Sequence, residues 1–160
     1  MSRQQGLPAI FFDDSEVLIL GSFPSEKSRN LKSYYSNNSN CFWKLICEIY
    51  NESMPTDDDA KNAFLHKHHI AVWDMIESCE IDGSLDKNIK NPEYHTVGEM
   101  QALLNKSKIK KIILNGNKLK KAYKKHFGEI AVPYVAVLNT SSANNGRAVQ
   151  RKQEWSKELP

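Results

Sequence analysis

VLILGSFPSEKSRNLKSYYSNNSNCFW, residues 17–43, is the segment around which the whole chain is organised. Residues 17–20 are aliphatic and β-branched, and they predict a buried strand. Gly21, Ser22 and Pro24 then predict a tight turn that exposes backbone amides. The loop that follows is dense in hydroxyl, amide and aromatic side chains, which a purely structural connection does not need. We therefore expect a functional site directly after this strand.

Working outward, the rest of the chain alternates between predicted strands and predicted helices. Further strands are predicted at residues 70–75, 111–114 and 133–138, and helices at 42–50, 56–68, 97–105, 118–127 and 146–159. We expect residues 1–6 to be loose and residues 77–94 to be an irregular, functional loop. This alternation predicts an α/β fold with a mostly parallel sheet that helices cover on both faces.

The predicted strand ends carry polar or small residues, namely Gly21, Asp74, Asn115 and Asn139. Parallel strands place their carboxyl ends on the same edge of a sheet, and ligands bind at that edge in open α/β sheets. The sequence therefore predicts that these four residues surround a binding site.

Length and charge set the broad class of the protein. The 160 residues predict one domain, residues 1–160, large enough to bury its own core. The net charge of +3 is too small to indicate a nucleic-acid partner. However, nine lysines fall between Lys106 and Lys125, which fits either a phosphate-binding surface or a solvated helix face. Both interpretations stay open.

Several classes of cofactor and location are disfavoured by what the sequence contains. Cys41, Cys47 and Cys79 are odd in number and lack metal-site spacing, so we expect a reducing, cytoplasmic compartment. No apolar stretch has membrane-spanning length, so no membrane association is expected. The histidines at 66, 68 and 69 are poorly spaced for one tetrahedral ion. No phosphate-binding or dinucleotide-binding glycine motif is present, and we expect neither a metal nor a cofactor.

Four short motifs carry a resemblance to a known family. In chain order they are GSFP at 21–24, with YY at 34–35 and N-x-FW at 40–43; AVWD at 71–74, with GSLD at 83–86; NG at 115–116; and TSSAN at 140–144. Together they resemble the uracil-DNA glycosylase superfamily, and within it the deoxyinosine (hypoxanthine) DNA glycosylases. The resemblance implies a three-layer α/β/α sandwich around a four-stranded parallel sheet.

The same resemblance implies a monofunctional DNA glycosylase that flips a deaminated base out of the helix and hydrolyses its N-glycosidic bond. Hypoxanthine is the first expected base. The alternatives are a uracil-specific or mismatch-specific glycosylase, or a catalytically silent nucleic-acid-binding domain of the same fold. DNA containing deaminated bases is the expected partner, and we expect a monomer. No lysine is placed by a motif where it would form a Schiff base with the sugar.

Two catalytic residues are implied by the motifs. Phe23 stands where many relatives carry a water-positioning acid or amide, and the resemblance assigns that task to Asn40 instead. Asn40 precedes a predicted helix, so the alternative is that it only caps that helix. Leu138 stands where a histidine might donate to the leaving base, so the Ser141 or Ser142 hydroxyl and backbone amides would take over that task.

The remaining expected substrate contacts are less specific. Phe23 stacks on the flipped base or packs in the core, and Asn115 reads a base edge or closes a turn. Tyr35 and Trp73 are expected as pocket walls or core residues, whereas Ala143 and Asn144 would form a wedge that fills the vacated stack. The full predicted substrate-binding set is Gly21, Ser22, Phe23, Pro24, Tyr35, Phe42, Trp73, Asn115, Thr140, Ser142, Ala143 and Asn144.

Overall fold

The computed structural model describes residues 2–83 and 86–160. Its strands are β1 Arg3–Gln5, β2 Val17–Gly21, β3 Ile70–Asp74, β4 Ile76–Glu80, β5 Lys90–Tyr94, β6 Lys111–Asn115 and β7 Tyr134–Val137. Its α-helices are α1 Glu26–Leu31, α2 Phe42–Tyr50, α3 Asp58–Lys67, α4 Val97–Asn105, α5 Lys120–Phe127 and α6 Ala148–Glu158. Short 3₁₀ turns occupy Asp86–Asn88, Asn117–Leu119 and Ser142–Arg147.

Four of the strands form the predicted parallel sheet, in the spatial order β3-β2-β6-β7. Gly21 is opposite Asp74 in the β2–β3 pair, and Asn115 is opposite Val137 in the β6–β7 pair. All four carboxyl ends therefore lie on one edge of the sheet. The predicted α/β fold with a central four-stranded parallel sheet is confirmed.

Helices cover both faces of this sheet because alternate strand residues point to opposite sides. Ile19, Val72 and Ile113 pack on one face against α2, α3 and α6, where Phe42 and Trp155 are fully buried. Leu18, Leu20 and Leu114 pack on the other face against α4 and α5. The result is the predicted three-layer α/β/α sandwich.

A second sheet was not predicted. Strands β1, β4 and β5 form an antiparallel sheet in the order β1-β4-β5, with Arg3 opposite Glu80. The expectations of a loose segment at 1–6 and an irregular segment at 77–94 are therefore wrong for Arg3–Gln5, for residues 77–80 and for Lys90–Tyr94, whereas residues 1, 84 and 85 lie outside the described residues. Both edge strands are polar, and β5 contains Pro92, which edge strands tolerate but which removes the usual strand signal.

The loop after β2 also contains a helix that was not predicted. Helix α1 begins after Ser25, whose hydroxyl accepts a hydrogen bond from the Ser28 amide at 3.1 Å. It ends at Lys32, which has a left-handed backbone. Six residues with a single exposed leucine carry no apolar periodicity, so only the capping serine marked the start of this helix.

Among the described residues, no helix has the length and apolar character needed to cross a bilayer.

Candidate active site

A cleft of about 640 Å³ opens at the carboxyl edge of the parallel sheet. Most of the predicted site residues line it, namely Gly21, Ser22, Phe23, Pro24, Tyr35, Asn40, Asn115, Thr140, Ser141, Ser142 and Ala143. They come from three segments that are distant in sequence: the β2 turn and its loop, the end of β6, and the loop after β7. The parallel topology is what brings these segments together.

The floor of the cleft begins at the β2–β3 strand pair. Asp74 is only 5% exposed, and its carboxylate lies directly against the backbone of Gly21. A Cβ atom at position 21 would be 2.5 Å from Asp74 Oδ1, which is too close for any side chain without movement. A larger residue at position 21 would therefore require the Asp74 carboxylate to move.

Phe23 belongs both to a small apolar cluster and to the cleft wall. It is 8% exposed and packs with Ile76, Cys79 and Ile81 under the second sheet. The Arg29 guanidinium lies 5.3 Å from its ring centroid and donates to the Pro24 carbonyl at 2.8 Å. This packing supports the core alternative for Phe23, while its position on the cleft lining keeps base stacking open.

Asn40 lies on the cleft lining directly before α2. Its side-chain Oδ1 accepts a hydrogen bond from the Phe42 backbone amide at 3.0 Å. The backbone amide of Asn40 donates to the Asn37 carbonyl at 2.9 Å. These contacts fix the side chain at the start of the helix. A carbonyl oxygen has two lone pairs, so Oδ1 retains one acceptor position after the bond with Phe42. The N-cap residue of α2 is Cys41, so Asn40 does not occupy the cap position; its side chain closes an Asx turn just before the helix, which is compatible with positioning a water.

Tyr35 forms the wall next to Asn40. Its ring stacks on Phe42 with centroids 3.9 Å apart, and its hydroxyl accepts from Asn115 Nδ2 at 3.2 Å. The backbone of Tyr35 is left-handed, with φ of 56°, which is uncommon for an aromatic residue. Such conformations persist where the surrounding contacts over-determine them, and they are frequent at functional sites.

Asn115 and Thr140 are joined by two hydrogen bonds within the cleft. Asn115 Nδ2 donates to Thr140 Oγ1 at 3.1 Å, and the Thr140 amide donates to Asn115 Oδ1 at 3.0 Å. The Thr140 carbonyl accepts from the Cys41 amide at 2.9 Å. The end of β6 is thus joined to the loop after β7 and, through Cys41, to the start of α2.

The loop after β7 is held by Asn139 and Arg151. Asn139 Oδ1 accepts from the Ser141 hydroxyl and from Asn144 Nδ2, both at 2.7 Å. Arg151, which is buried, donates to the carbonyls of Asn139 and Ser141. The hydroxyl hydrogen of Ser141 is engaged with Asn139, which leaves the exposed Ser142 as the hydroxyl available on this wall.

Three of the predicted substrate contacts lie elsewhere. Phe42 is completely buried beneath Tyr35 and supports the wall from behind. Trp73 is buried in the opposite layer, with its ring 4.1 Å from that of His95. The Asn144 side chain points back to Asn139 within its own loop. Aromatic and amide residue types alone do not distinguish a cleft wall from the support behind it.

Other cleft residues were missed or undervalued from the sequence. Lys87 and Lys118 line the cleft and bring positive charge to it. The neutral residues Asn37 and Ser39 line it as well, and so does Asn139, which was predicted as a strand-end residue of the site. Asn37 and Ser39 belong to the polar loop and could have been included on that basis. No motif marked Lys87, which reaches the cleft through the 3₁₀ turn Asp86–Asn88. Ser84 and Leu85 of the second motif lie outside the described residues.

Two groups near the cleft, the Tyr34 phenol and the Cys41 thiol, have pKa values raised above their ordinary values. Burial raises the pKa of Tyr34 well above its ordinary value, and the charge of Asp74 adds to this effect. Burial also raises the pKa of the Cys41 thiol, against a smaller opposing effect from Arg151. Neither group is therefore an anion near neutral pH.

Potential metal ligands are grouped away from the cleft lining. Within the described part of the chain, Glu77, His95 and Glu99 have ligand atoms within 4.8 Å of one another. Glu99 already caps α4 through Thr96 and pairs with His95 at 3.1 Å, which accounts for this arrangement without an ion. His66 and His69 each lie near Asp14, whereas His68 pairs with Glu52.

Comparison with known proteins shows similarity along nearly the whole chain. It is 28% identical over 153 residues to the hypoxanthine DNA glycosylase of Methanosarcina acetivorans, covering 95% of each chain. It is 26% identical over 155 residues to the protein of the same description from Methanosarcina barkeri, covering 96% of each. No family model matches the chain.

A solved structure shows the same similarity in three dimensions. It is a solution NMR structure of a Methanosarcina acetivorans protein described as a candidate uracil DNA glycosylase. It superimposes with a TM-score of 0.82 at 26% identity, covering 98% of this chain and 96% of the other. Sequence and fold together confirm the predicted resemblance to the uracil-DNA glycosylase superfamily and to its hypoxanthine DNA glycosylase branch.

Proposed function

We propose that this protein is a DNA glycosylase that removes hypoxanthine by hydrolysing the N-glycosidic bond of deoxyinosine. The observation that carries the proposal is the placement of Asn40 on the cleft, with Oδ1 fixed by the Phe42 amide and one lone pair remaining. Two relatives that align over almost the whole chain are described as hypoxanthine DNA glycosylases. The cleft at the strand ends supports the same reaction.

The first step is extrusion of the damaged nucleotide from the duplex. The target bond is inaccessible inside a base stack, so the nucleotide must rotate into the cleft. Ala143 is exposed at the cleft rim, on the loop that Asn139 and Arg151 hold in place. A small side chain on a loop held in this way could enter the base stack and occupy the space that the extruded nucleotide leaves. Lys87 and Lys118 supply positive charge for the phosphates that flank the flipped nucleotide.

The second step is attack by water at the sugar. Asn40 Oδ1 accepts a hydrogen bond from the water and orients its oxygen towards C1′. The amide is too weak a base to deprotonate water in advance, so the bond to the base breaks early and an oxocarbenium-like sugar cation develops. The electron pair of the N-glycosidic bond leaves with the base, water oxygen bonds to C1′, and the released proton neutralises the departing base.

The third requirement is stabilisation of the negative charge on the leaving base. Ser142 presents a hydroxyl to the cleft, and Ser141 orders the same loop through its bond to Asn139. Neutral hydrogen-bond donors provide a weaker oxyanion-type site than a charged group would. A purine such as hypoxanthine, which spreads the charge over two rings, suits this environment.

The test is gel-resolved strand cleavage, after alkali treatment, of end-labelled duplexes that contain one deoxyinosine or one deoxyuridine. We expect release of hypoxanthine by the natural protein and its loss in Asn40→Ala. Release of uracil alone would support the second candidate, a uracil-specific enzyme, which the description of the structural relative favours. Release of neither base by folded protein would contradict the proposal and favour a domain that only binds nucleic acid.

We propose further that the enzyme is monofunctional and leaves the abasic strand intact. Lys87 and Lys118 line the cleft, so the motif-based expectation that no lysine approaches the sugar requires a direct test. A lysine that attacked C1′ would form a Schiff base. Borohydride treatment during turnover traps such an adduct as a covalent protein–DNA complex. We expect no complex to form, and strand cleavage without alkali should not occur.

The proposed setting is a monomer in the cytoplasm. Cys41 and Cys47 are thiols outside any disulfide, which supports a reducing compartment. Sedimentation analysis of the purified protein tests the monomeric state, and a concentration-dependent rise in mass would contradict it.

A further inference from the structure

A second and larger depression adjoins the cleft on the side of α2 and α6. This α2–α6 groove has a volume of about 880 Å³ and is bounded by α1, the start of α2, residues 54–56 and the first turns of α6. Five residues line both depressions, namely Tyr35, Asn37, Ser39, Asn40 and Ser142. A ligand in the cleft can therefore continue into the groove without leaving the protein surface.

The groove has an excess of positive charge. Its lining contains the cations Lys27, Lys44, Lys61, Arg151 and Lys152, against the single carboxylate of Glu48. Lys44 and Lys152 are exposed on the facing helices α2 and α6. Arg151 is buried, and its hydrogen bonds go to neutral oxygens of Asn139, Ser141 and Asn145, so these bonds do not neutralise its charge. A polyanion is the occupant that this distribution favours.

The groove also contains the large hydrophobic side chains that the described residues expose most. Leu31, Met54 and Val149 have exposed fractions of 57%, 53% and 74%, and all three line this groove. Apolar side chains beside cations fit a nucleic-acid strand whose bases are unstacked, since base faces and sugars contact the apolar groups while phosphates contact the cations. A duplex backbone alone would need only the cations.

We infer that the α2–α6 groove binds the lesion-bearing DNA strand next to the flipped nucleotide, as a locally unstacked single strand. The inference rests on the proposed function, because it takes the cleft as the site of the flipped base. Asn40 and Tyr35 stand at the junction, so the strand passes from the groove to the reacting sugar at these residues.

The lysine-rich helix α5 is the competing DNA surface. Tyr123 and Phe127 pack α5 on the opposite face of the sheet from α2 and α6. Its exposed lysines, Lys120, Lys121, Lys124 and Lys125, therefore lie on the other outer layer. A second copy of this chain is a poorer occupant of the groove, because a two-fold contact would bring two sets of like charges together.

The experiment compares two charge-matched double variants in their binding to DNA. Lys44→Gln/Lys152→Gln removes two groove charges, and Lys121→Gln/Lys125→Gln removes two α5 charges; glutamine keeps the helix propensity at each position. The probe is a fluorescein-labelled, lesion-free single strand of about 15 nucleotides, which covers typical single-strand site sizes. Fluorescence anisotropy over about 50 to 200 mM salt gives both the affinity and its salt dependence.

In the groove variant we expect affinity to fall about tenfold at low salt. The salt slope, which is the magnitude of the change in log affinity per unit of log salt concentration, should be smaller by about 1.4, since each phosphate contact in a single strand contributes about 0.7. The α5 variant should retain the slope of the natural protein. Val149→Ser should weaken binding about fivefold with the slope unchanged, because it removes an apolar contact and no charge.

An unchanged slope in the groove variant would overturn the inference, as would loss of slope in the α5 variant alone. If the natural protein sediments as a dimer that only the groove variant dissociates, and the DNA slope is unchanged, the groove is an interface between copies and the inference is equally overturned. The probe carries no lesion, so this result is independent of base release. Failure of the proposed function is seen separately in the alkali-cleavage assay.

Discussion

The end of β6 and the start of α2 each bring an asparagine to the same cleft, but the two side chains differ in how their amides are used. Asn115 donates to Tyr35 and Thr140 and accepts from the Thr140 amide, so its amide is engaged on both sides. Asn40 Oδ1 accepts one bond, from the Phe42 amide. Asn115 is therefore held by three hydrogen bonds to the protein, whereas Asn40 is held by one.

This difference separates stability from chemistry within one site. A side chain held by three hydrogen bonds to the protein, as Asn115 is, must break some of those bonds before it can turn to a ligand, whereas a side chain held by one bond is oriented and less constrained. The chemical effect of substitution should therefore be largest at Asn40. The structural effect should be largest at Asn115.

The largest expected effect is on the rate of base release in Asn40→Ala. Loss of the positioned water should slow single-turnover release of hypoxanthine about 100-fold. The free energy of unfolding should fall by only about 1 kcal/mol, as for the loss of one hydrogen bond to the backbone. Rapid-quench kinetics and denaturant unfolding measure the two quantities. A normal rate in the folded variant would remove Asn40 from the mechanism and leave it a structural role in the turn before α2.

The next effect is on stability in Asn115→Ala. Removing an amide with three bonds inside the site leaves partners unsatisfied, and it should cost about 2 kcal/mol. For a chain of this size the melting temperature should fall by about 6 °C. Asn115→Asp keeps the acceptor for the Thr140 amide and should lose less. If Asn115→Ala is instead fully stable but discriminates poorly between hypoxanthine and other bases, the asparagine reads the base edge.

A smaller effect is expected for Tyr35→Phe, which tests the link between the two asparagines. The variant keeps the stack on Phe42 and removes only the hydroxyl that accepts from Asn115 Nδ2. We expect a loss of about 1 kcal/mol in the free energy of unfolding, together with a modest fall in the rate. Tyr35→Leu, which removes the stack as well, is the matched comparison. Equal losses in the two variants would show that the hydroxyl, and not the stack, holds this wall.

The smallest effect is expected for Cys41→Ser, at the residue between Asn40 and α2. Burial raises the pKa of this thiol, so it is protonated at neutral pH and is a poor nucleophile. Its backbone amide, which donates to the Thr140 carbonyl, is retained in the variant. Base release should stay within about threefold of the natural rate, a change of about 0.7 kcal/mol. A loss as large as that of Asn40→Ala would indicate covalent participation of the thiol.

The central sheet and its edge were predictable because short apolar strands alternate with amphipathic helices. Helix α2 was predicted at its observed bounds because Phe42, Leu45, Ile46 and Ile49 recur at helical spacing. The edge residues Gly21, Asp74 and Asn115 followed directly, since parallel strands share the direction of their carboxyl ends. Each of these predictions rests on a pattern that repeats over several residues: the spacing of apolar residues in a helix or strand, or the shared direction of parallel strands.

The second sheet and α1 were not predictable by the same means. β1 and β5 are polar edge strands, so their pairing with β4 leaves no alternation of apolar residues to detect. Phe42, included through its motif, is buried behind Tyr35, and Trp73, predicted as a pocket wall or a core residue, lies in the core of the opposite layer. Lys87 was missed because nothing local to it indicates a site.

The sequence by itself determined the class of fold, the edge at which the site lies and the identity of Asn40 as the residue to test, because strand direction, helix spacing and short motifs are local properties. Only the tertiary structure decided that Asn115 is held by three hydrogen bonds and Asn40 by one, and that Leu31, Met54 and Val149 share one cationic groove. Those facts depend on contacts between segments that are distant in sequence. Packing alone brings such segments together.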